Sequence, residues 1–392
     1  MTGRFIESII VTCSKPVKVD KRAFVAPLSS ARRGLGELKI EYAQLTQREI
    51  IDLKRDPSTN AVVPAMPLRL IRPLKKTVSE NVIATSTWGV EATNAHISKY
   101  DGSEVVVAVL DTGIFTKHEA FKGIELVTKN FTEDSDADID GHGTHCAGTI
   151  FGRDVDGLRI GIARGVKKAL IGKVIAETGS SSIELVKAIQ WAYEGGANII
   201  SMSLGIDYPG HVKDLIKKEG YSVQAATSIA LEEYLANVKL FSSITSLLSQ
   251  SEAFSHPAVV VAASGNESKR PKYEIGVAPP AVAEDILSVG ALRRMSNGDL
   301  KVASFSNTQC DISGPGVGII SAGLDTKKSL VSCDGTSMAA PHVTGCAALW
   351  AQRLTELERF TVQNLLSKLL GSALHIEGAD GKDVGIGVVQ AP

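Results

Sequence analysis

The stretch Val105-Val106-Val107-Ala108-Val109-Leu110-Asp111-Thr112-Gly113 decides how the rest of the chain is read. Residues 105–110 are apolar without a break. A strand with one wet face alternates apolar and polar residues, so an unbroken run marks a strand covered on both faces. Similar short runs recur at 169–175, 197–204, 258–263 and 286–289, and helical patterns separate several of them. The pattern over 181–193 opens with the capping box Ser181-Ser182-Ile183-Glu184. Buried strands alternating with helices predict an α/β fold: a parallel sheet with helices on both faces.

The chain upstream reads differently. Residues 1–76 predict a small α+β N-terminal domain, with a strand over 5–12. The capping box Thr46-Gln47-Arg48-Glu49 starts a short helix that runs through Leu53. Asp56-Pro57 makes a turn, and 61–71 is extended but broken by Pro64 and Pro67. Lys75-Lys76 and the polar residues after it read as a linker. The larger domain then spans 77–392, and its 206–256 stretch reads as a helical insertion at the surface.

With 42 basic and 43 acidic residues interspersed, the chain offers no nucleic-acid surface. It has no apolar run long enough to cross a bilayer, so no membrane partner is expected. Glu7 and Ser8 interrupt the first apolar stretch, which does not read as a secretory signal. Five cysteines, an odd number without metal-ligand spacing, read as free thiols in a reducing compartment, and a cytoplasmic location is expected.

Three segments pair a reactive residue with glycine at a strand end or helix start. The first is the Asp111 turn. The second is Asp140-Gly141-His142-Gly143-Thr144-His145-Cys146-Ala147-Gly148-Thr149, whose small residues let a helix pack close to a sheet. The third is Asp334-Gly335-Thr336-Ser337-Met338-Ala339-Ala340-Pro341-His342, with a serine in the first turn of a helix. Acyl transfer needs these side chains together. A hydroxyl becomes a competent nucleophile when an imidazole takes its proton. A carboxylate then fixes the tautomer of that ring and stabilises its charged form. The tetrahedral intermediate needs donors aimed at its oxyanion. Asn266 supplies one, on the glycine turn of Val260-Val261-Ala262-Ala263-Ser264-Gly265-Asn266, and the backbone N–H of Ser337 another.

These four segments are similar to the signature blocks of the subtilisin-like serine proteases, the subtilases, in which Asp, His and Ser follow in this order along the chain. Weaker blocks agree: Ser201-Met202-Ser203-Leu204-Gly205, Ala303-Ser304-Phe305-Ser306-Asn307 and Gly385-Ile386-Gly387-Val388-Val389-Gln390-Ala391. The resemblance implies a doubly wound sheet and a serine endopeptidase acting on peptide or protein substrates. Asp111, His142 and Ser337 would form its catalytic triad, and Asn266 would sit in its oxyanion hole. It implies that Ser203, Leu204 and Gly205, with Ala263, Ser264 and Gly265, line a cleft where an extended peptide pairs as an added strand. Residues 1–76 resemble the inhibitor-like propeptide of that family in size, position and strand–helix–strand order. That likeness implies an intramolecular inhibitor whose C-terminal stretch, residues 68–76 above all, runs through the cleft.

Other features read more plainly. Asp136-Ala137-Asp138-Ile139-Asp140-Gly141 imitates an EF-hand start, but Ala147 stands where the motif needs glutamate. A looser structural calcium site stays open there with no ligands assigned, and the chemistry itself requires no cofactor. His145 and His342 read as structural, Cys146 as a small buried hydrophobe and Cys333 as a partly buried spectator. Lys269-Arg270-Pro271-Lys272 reads as a solvated loop. Near a primary specificity pocket, its charge would favour an acidic residue before the cut bond. The rival to a peptidase is a binding protein of the same fold that captures peptides in a plugged cleft. The intact quartet Asp111, His142, Ser337 and Asn266 argues against it.

Overall fold

The computed structural model describes residues 5–13, 38–77, 84–177, 179–250 and 256–392. Its contacts divide the chain into two units: Met1–Met66 with Tyr208–Leu240, and Pro67–Asp207 with Phe241–Pro392.

In the first unit the strands Leu38–Thr46 and Thr59–Pro64 flank Phe5–Cys13 in an antiparallel sheet. The helix Gln47–Arg55 begins at the expected capping box: Glu49 N–H donates to Thr46 Oγ1, and Thr46 N–H to the Glu49 carboxylate. Ile50 on that helix packs with Ile10, Leu45 and Val62. The helix Tyr208–Lys217 and the start of Val223–Gln250 share a core of Leu215, Ala226 and Ala230. Asn237 Nδ2 donates to Pro64 O at 2.9 Å within the same unit.

The second unit is the expected α/β sheet. Its strands run in the order Leu300–Val302, Ile286–Arg294, Val259–Ala263, Ile199–Met202, Val106–Asp111, Lys168–Lys173 and Glu125–Asn130, with Ile312–Pro315 beside Ile286–Arg294. All pairs are parallel except the one made by Leu300–Val302. Alternate residues of the central strands explain the unbroken apolar runs. Val107, Val109, Ala169 and Ile171 share a core with Cys146, Ala147 and Ile150 of the helix His142–Phe151, and with Met338 and Val343 of Thr336–Glu356. On the other face, Leu110 and Leu170 lie beside the helix Ser182–Glu194, close to Trp191 and Gly195. Each fully buried Val, Leu or Ile contributes about 1.5–3 kcal/mol, so both faces support the sheet.

After Val106–Asp111 the chain winds to Glu125–Asn130 and Lys168–Lys173 on one side, then to Ile199–Met202 and beyond on the other. Asp111 therefore ends the strand at which the winding reverses, the place where open α/β sheets bind ligands.

The contacts divide the chain elsewhere than at 76/77. Pro67–Leu70 and Leu74–Thr77 are strands of the second unit, because their backbone groups find partners there, and Lys75 and Lys76 are strand residues rather than linker. The helical stretch 208–240 clusters with the first unit.

Candidate active site

Asp111 and His142 meet. Asp111 Oδ1 lies 2.7 Å from His142 Nδ1, with both side chains buried. Thr112 N–H donates to the same oxygen at 2.8 Å. A carboxylate facing Nδ1 makes that nitrogen the donor, and His142 Nε2 has no hydrogen-bond partner among the described residues. Burial, the largest single influence, pulls the pKa of His142 down, but the charge and hydrogen bond of Asp111 together with those of Cys146 outweigh it and hold the ring well above its ordinary value. Gly143 permits this approach: a Cβ there would lie 2.2 Å from Gly113 O.

A side chain that the sequence did not single out locks the two segments together. Asp138 Oδ1 accepts from Thr112 Oγ1 at 2.9 Å and Gly141 N–H at 2.8 Å. Its Oδ2 accepts from Thr144 N–H at 3.0 Å and Thr144 Oγ1 at 2.6 Å. Thr112 Oγ1 in turn accepts from Gly143 N–H at 2.9 Å. Lys173 reaches the same loop, its Nζ donating to Ser135 O and Ala137 O at 2.7 Å each. Protein donors thus engage Asp138 and these two carbonyls.

Ser337 is the second residue of the helix Thr336–Glu356. Pro341 lacks the N–H that would bond the carbonyl four residues back. That carbonyl belongs to Ser337, and it accepts instead from Cys146 Sγ and Ser203 Oγ, each at 3.4 Å. Cys146 Sγ also lies 3.8 Å from His142 Nδ1 on its own helix, and its bond to Ser337 O joins the His142 and Ser337 helices. Burial pushes the Cys146 thiol up. Ser337 Oγ donates to Ile71 O at 2.9 Å.

Asn266 follows the strand Val259–Ala263. Its Oδ1 accepts from Thr336 N–H and Thr336 Oγ1, both at 2.9 Å, which turns Nδ2 toward Arg72 O at 3.3 Å. Gly265 makes the turn at φ +114°, and a Cβ there would strike Asn307 Nδ2.

Residues 67–77 lie along this site. Leu70, Arg69 and Leu68 pair antiparallel with Leu204, Gly205 and Ile206, while Pro67 and Leu68 pair with Ser181 and Ser180. Leu74–Thr77 pairs with Leu330–Asp334. Among the cleft residues read from the sequence, Leu204 and Gly205 meet this segment as strand partners, and Ser203 turns its hydroxyl to Ser337 O. The backbone of Ala263, Ser264 and Gly265 is engaged by Val289, Ala278, Asn307 and the Thr336 hydroxyl instead.

The two further histidines are spacers. His145 Nε2 bonds Ile319 O and Val331 O, and burial lowers its pKa to about 3. His342 Nδ1 donates to Met338 O at 2.8 Å, and burial lowers its pKa to about 4. Cys333 is buried in the main core. Arg270 departs from the solvated-loop reading: it is largely buried and pairs with Asp383 at 2.6 Å.

The family model described as the subtilase family matches residues 102–381. Subtilisin DY of Bacillus licheniformis is 31% identical over 282 residues, covering 71% of this chain and 88% of that protein. The chain belongs to the subtilase family. The thermostable alkaline protease of Halalkalibacterium halodurans is 30% identical over 81% of this chain and 73% of that protein. The major intracellular serine protease of Bacillus subtilis is 33% identical over 63% and 68% respectively. The crystal structure of fervidolysin from Fervidobacterium pennivorans matches with a TM-score of 0.64 at 21% identity, covering 99% of this chain and 60% of that one, and supports the fold. As a subtilase the chain is a serine endopeptidase that hydrolyses peptide or protein substrates. No described helix is long and apolar enough to cross a membrane.

Proposed function

We propose that this subtilase acts through Ser337 as nucleophile, His142 as general base and then acid, Asp111 as the group that orients His142, and Asn266 as oxyanion donor. The 2.7 Å contact between Asp111 and His142 Nδ1 carries this reading, because it leaves Nε2 as the atom that accepts the Ser337 proton. Ser337 Oγ then bonds to the scissile carbonyl carbon, and the carbonyl oxygen takes the electron pair. Asn266 Nδ2 and the Ser337 N–H donate to that oxyanion. As the C–N bond breaks, Nε2–H protonates the leaving amine. Water, deprotonated by His142, hydrolyses the acyl-enzyme and frees Ser337. Each transferred proton has a side chain to carry it, and no cofactor enters these steps.

We infer further that the chain is a zymogen, with the domain over 1–76 as its own inhibitor. Chain continuity from Met66 to Pro67 delivers 67–77 into the cleft, where it pairs as a substrate would. Acylation requires one carbonyl to be both attacked and held. Here Ser337 Oγ meets Ile71 O while Asn266 Nδ2 meets Arg72 O, so two successive peptide groups divide the roles. A tethered strand competes at high effective concentration, which favours occupancy over turnover. The test compares the full chain with chain cut between 77 and 84, using a small chromogenic peptide. Activity should rise on cutting; no rise contradicts the inhibitor role. A reducing cytoplasm fits the buried free thiols of Cys146, Cys310 and Cys346 and the intracellular relative.

A further inference from the structure

The Arg69 side chain of the cleft segment is held by two carboxylates. Its Nη2 donates to Glu267 Oε1 at 2.6 Å, and its Nη1 to Asp207 Oδ1 at 3.3 Å. Glu267 is held for this contact independently of Arg69. Its Oε2 accepts from Asn307 Nδ2 at 2.7 Å, and Asn307 Oδ1 accepts the N–H groups of Glu267 and Ser268 at 3.1 Å. Asn307 itself is fully buried. Asp207 follows the strand Leu204–Ile206 and donates its backbone N–H to Pro67 O at 2.9 Å. The two carboxylates thus take the two terminal nitrogens of the Arg69 guanidinium, and the Asp207 backbone also bonds the segment.

The surroundings carry the same sign. The cleft beside the segment, about 530 Å³, is lined on the enzyme side by Asp134, Asp140, Glu177 and Glu267. Lys173 also lines it, but its ammonium is spent on Ser135 O and Ala137 O. None of the basic loop 269–272 lines this cleft, and Arg270 is paired with Asp383 and Glu274. The register sets the position. Gly205 pairs with Arg69, and the carbonyl to which Ser337 Oγ donates belongs to Ile71, two residues further on.

We propose that Asp207 and Glu267 form a subsite for a basic side chain, arginine or lysine, two residues before the residue whose carbonyl is attacked. They are specificity-determining residues, and the favoured substrates are peptides with a cation at that position. The proposal rests on reading 67–77 as a substrate-like occupant of the cleft. Both ion pairs are about one-third exposed, so each contributes at the modest level of surface pairs. Two together correspond to roughly five- to tenfold in kcat/KM.

The test uses full-length protein and three fluorogenic peptides, Arg-Leu-Ile, Gln-Leu-Ile and Glu-Leu-Ile, each amide-linked to a coumarin. All three meet the same protein, so the fraction of open clefts cancels from the kcat/KM ratios. The wild type should cleave the Arg peptide about five- to tenfold faster than the Gln peptide and the Glu peptide slowest, with the spread shrinking in high salt. Glu267→Gln with Asp207→Asn should bring the Arg/Gln ratio close to one. Asp207→Asn alone, which leaves the Asn307 contact intact, should lower it partway. Glu267→Lys should reverse the order of Arg and Glu, which loss of a merely structural residue would not do. Equal rates for the three peptides in the wild type, or an unchanged ratio in the double variant, overturn the subsite and leave the peptidase standing. Absence of both turnover and fluorophosphonate labelling of Ser337 would overturn the peptidase reading beneath it.

Discussion

Lowering the pH from 7 to 5 should cost this fold stability through His342, by an amount its burial sets. The ring lies between the helix Thr336–Glu356 and Gly89, where a Cβ would come within 2.0 Å of Nε2. Its Nδ1–H is bonded to Met338 O, while Nε2 has no partner to share a second proton. Burial therefore lowers its pKa from 6.5 to about 4. The unfolded chain takes up a proton near pH 6.5 and the folded one only near 4, so stability is fully present above 6.5 and is lost as pH falls toward 4. At pH 5 the unfolded ring is almost fully charged and the folded ring barely so, which gives about 2 kcal/mol lost relative to pH 7. His145, lowered to about 3, loses a similar amount. His142 works in the opposite sense: its raised pKa adds stability in acid that is lost as pH rises through a value above 6.5. Wild-type slopes therefore mix these groups, and a variant isolates one. In a Ser337→Ala background, which removes self-digestion, His342→Gln keeps an amide donor for Met338 O. Urea unfolding at pH 7 and pH 5 should show the variant losing about 2 kcal/mol less than its parent on acidification. Identical losses would refute the assignment of that acid sensitivity to His342.

Asn266→Ala should lower kcat with little change in KM. The fall should be about 10²–10³-fold, the size of this effect in subtilisin rather than a value worked out from this site; loss of affinity alone would make Asn266 a binding residue. The acid limb of the kcat/KM profile should have its midpoint above the ordinary imidazole value of 6.5. Removing the segment relieves burial, the influence that lowers the pKa, and leaves Asp111 in place; a midpoint below 6 would contradict this. Lys173→Met would leave Ser135 O and Ala137 O without their cation. It should cost about 2–4 kcal/mol of stability by urea unfolding, with no compensation from added calcium; an unaffected variant, or full rescue by calcium, would show that the loop is held otherwise.

The parts of this molecule that sequence exposes are those whose cause is local. Residues 105–110 had to be apolar throughout because helices cover both faces of that strand, and the capping boxes at Thr46 and Ser181 close through neighbours three residues away. Asp111, His142, Ser337 and Asn266 each stand within two residues of a glycine, which made them visible. Asp138 looked like one of several acidic loop residues, because the contact that joins it to the Asp111 turn comes from Thr112, 26 positions away, which only the fold brings near. The pairing of Ser337 O with Cys146 and Ser203 is long-range for the same reason, although Pro341 announces that a carbonyl four residues back needs a new partner. Lys75-Lys76 and the polar residues after it read by composition as a linker, and only the likeness to a propeptide carried 68–76 into the cleft; the backbone of Lys75 and Lys76 pairs with a strand some 250 positions away, of which side-chain pattern carries no trace.

The central claim is that Ser337 attacks with His142 as its base. Its most direct measurement is labelling by a fluorophosphonate, which requires both, followed by peptide mapping of the modified residue. Wild-type protein should carry the label on Ser337, faster once cut between 77 and 84. Ser337→Ala should take up none, and His142→Ala should react slower by several orders of magnitude while keeping its fold. Label on another residue, or undiminished labelling in His142→Ala, would contradict the account.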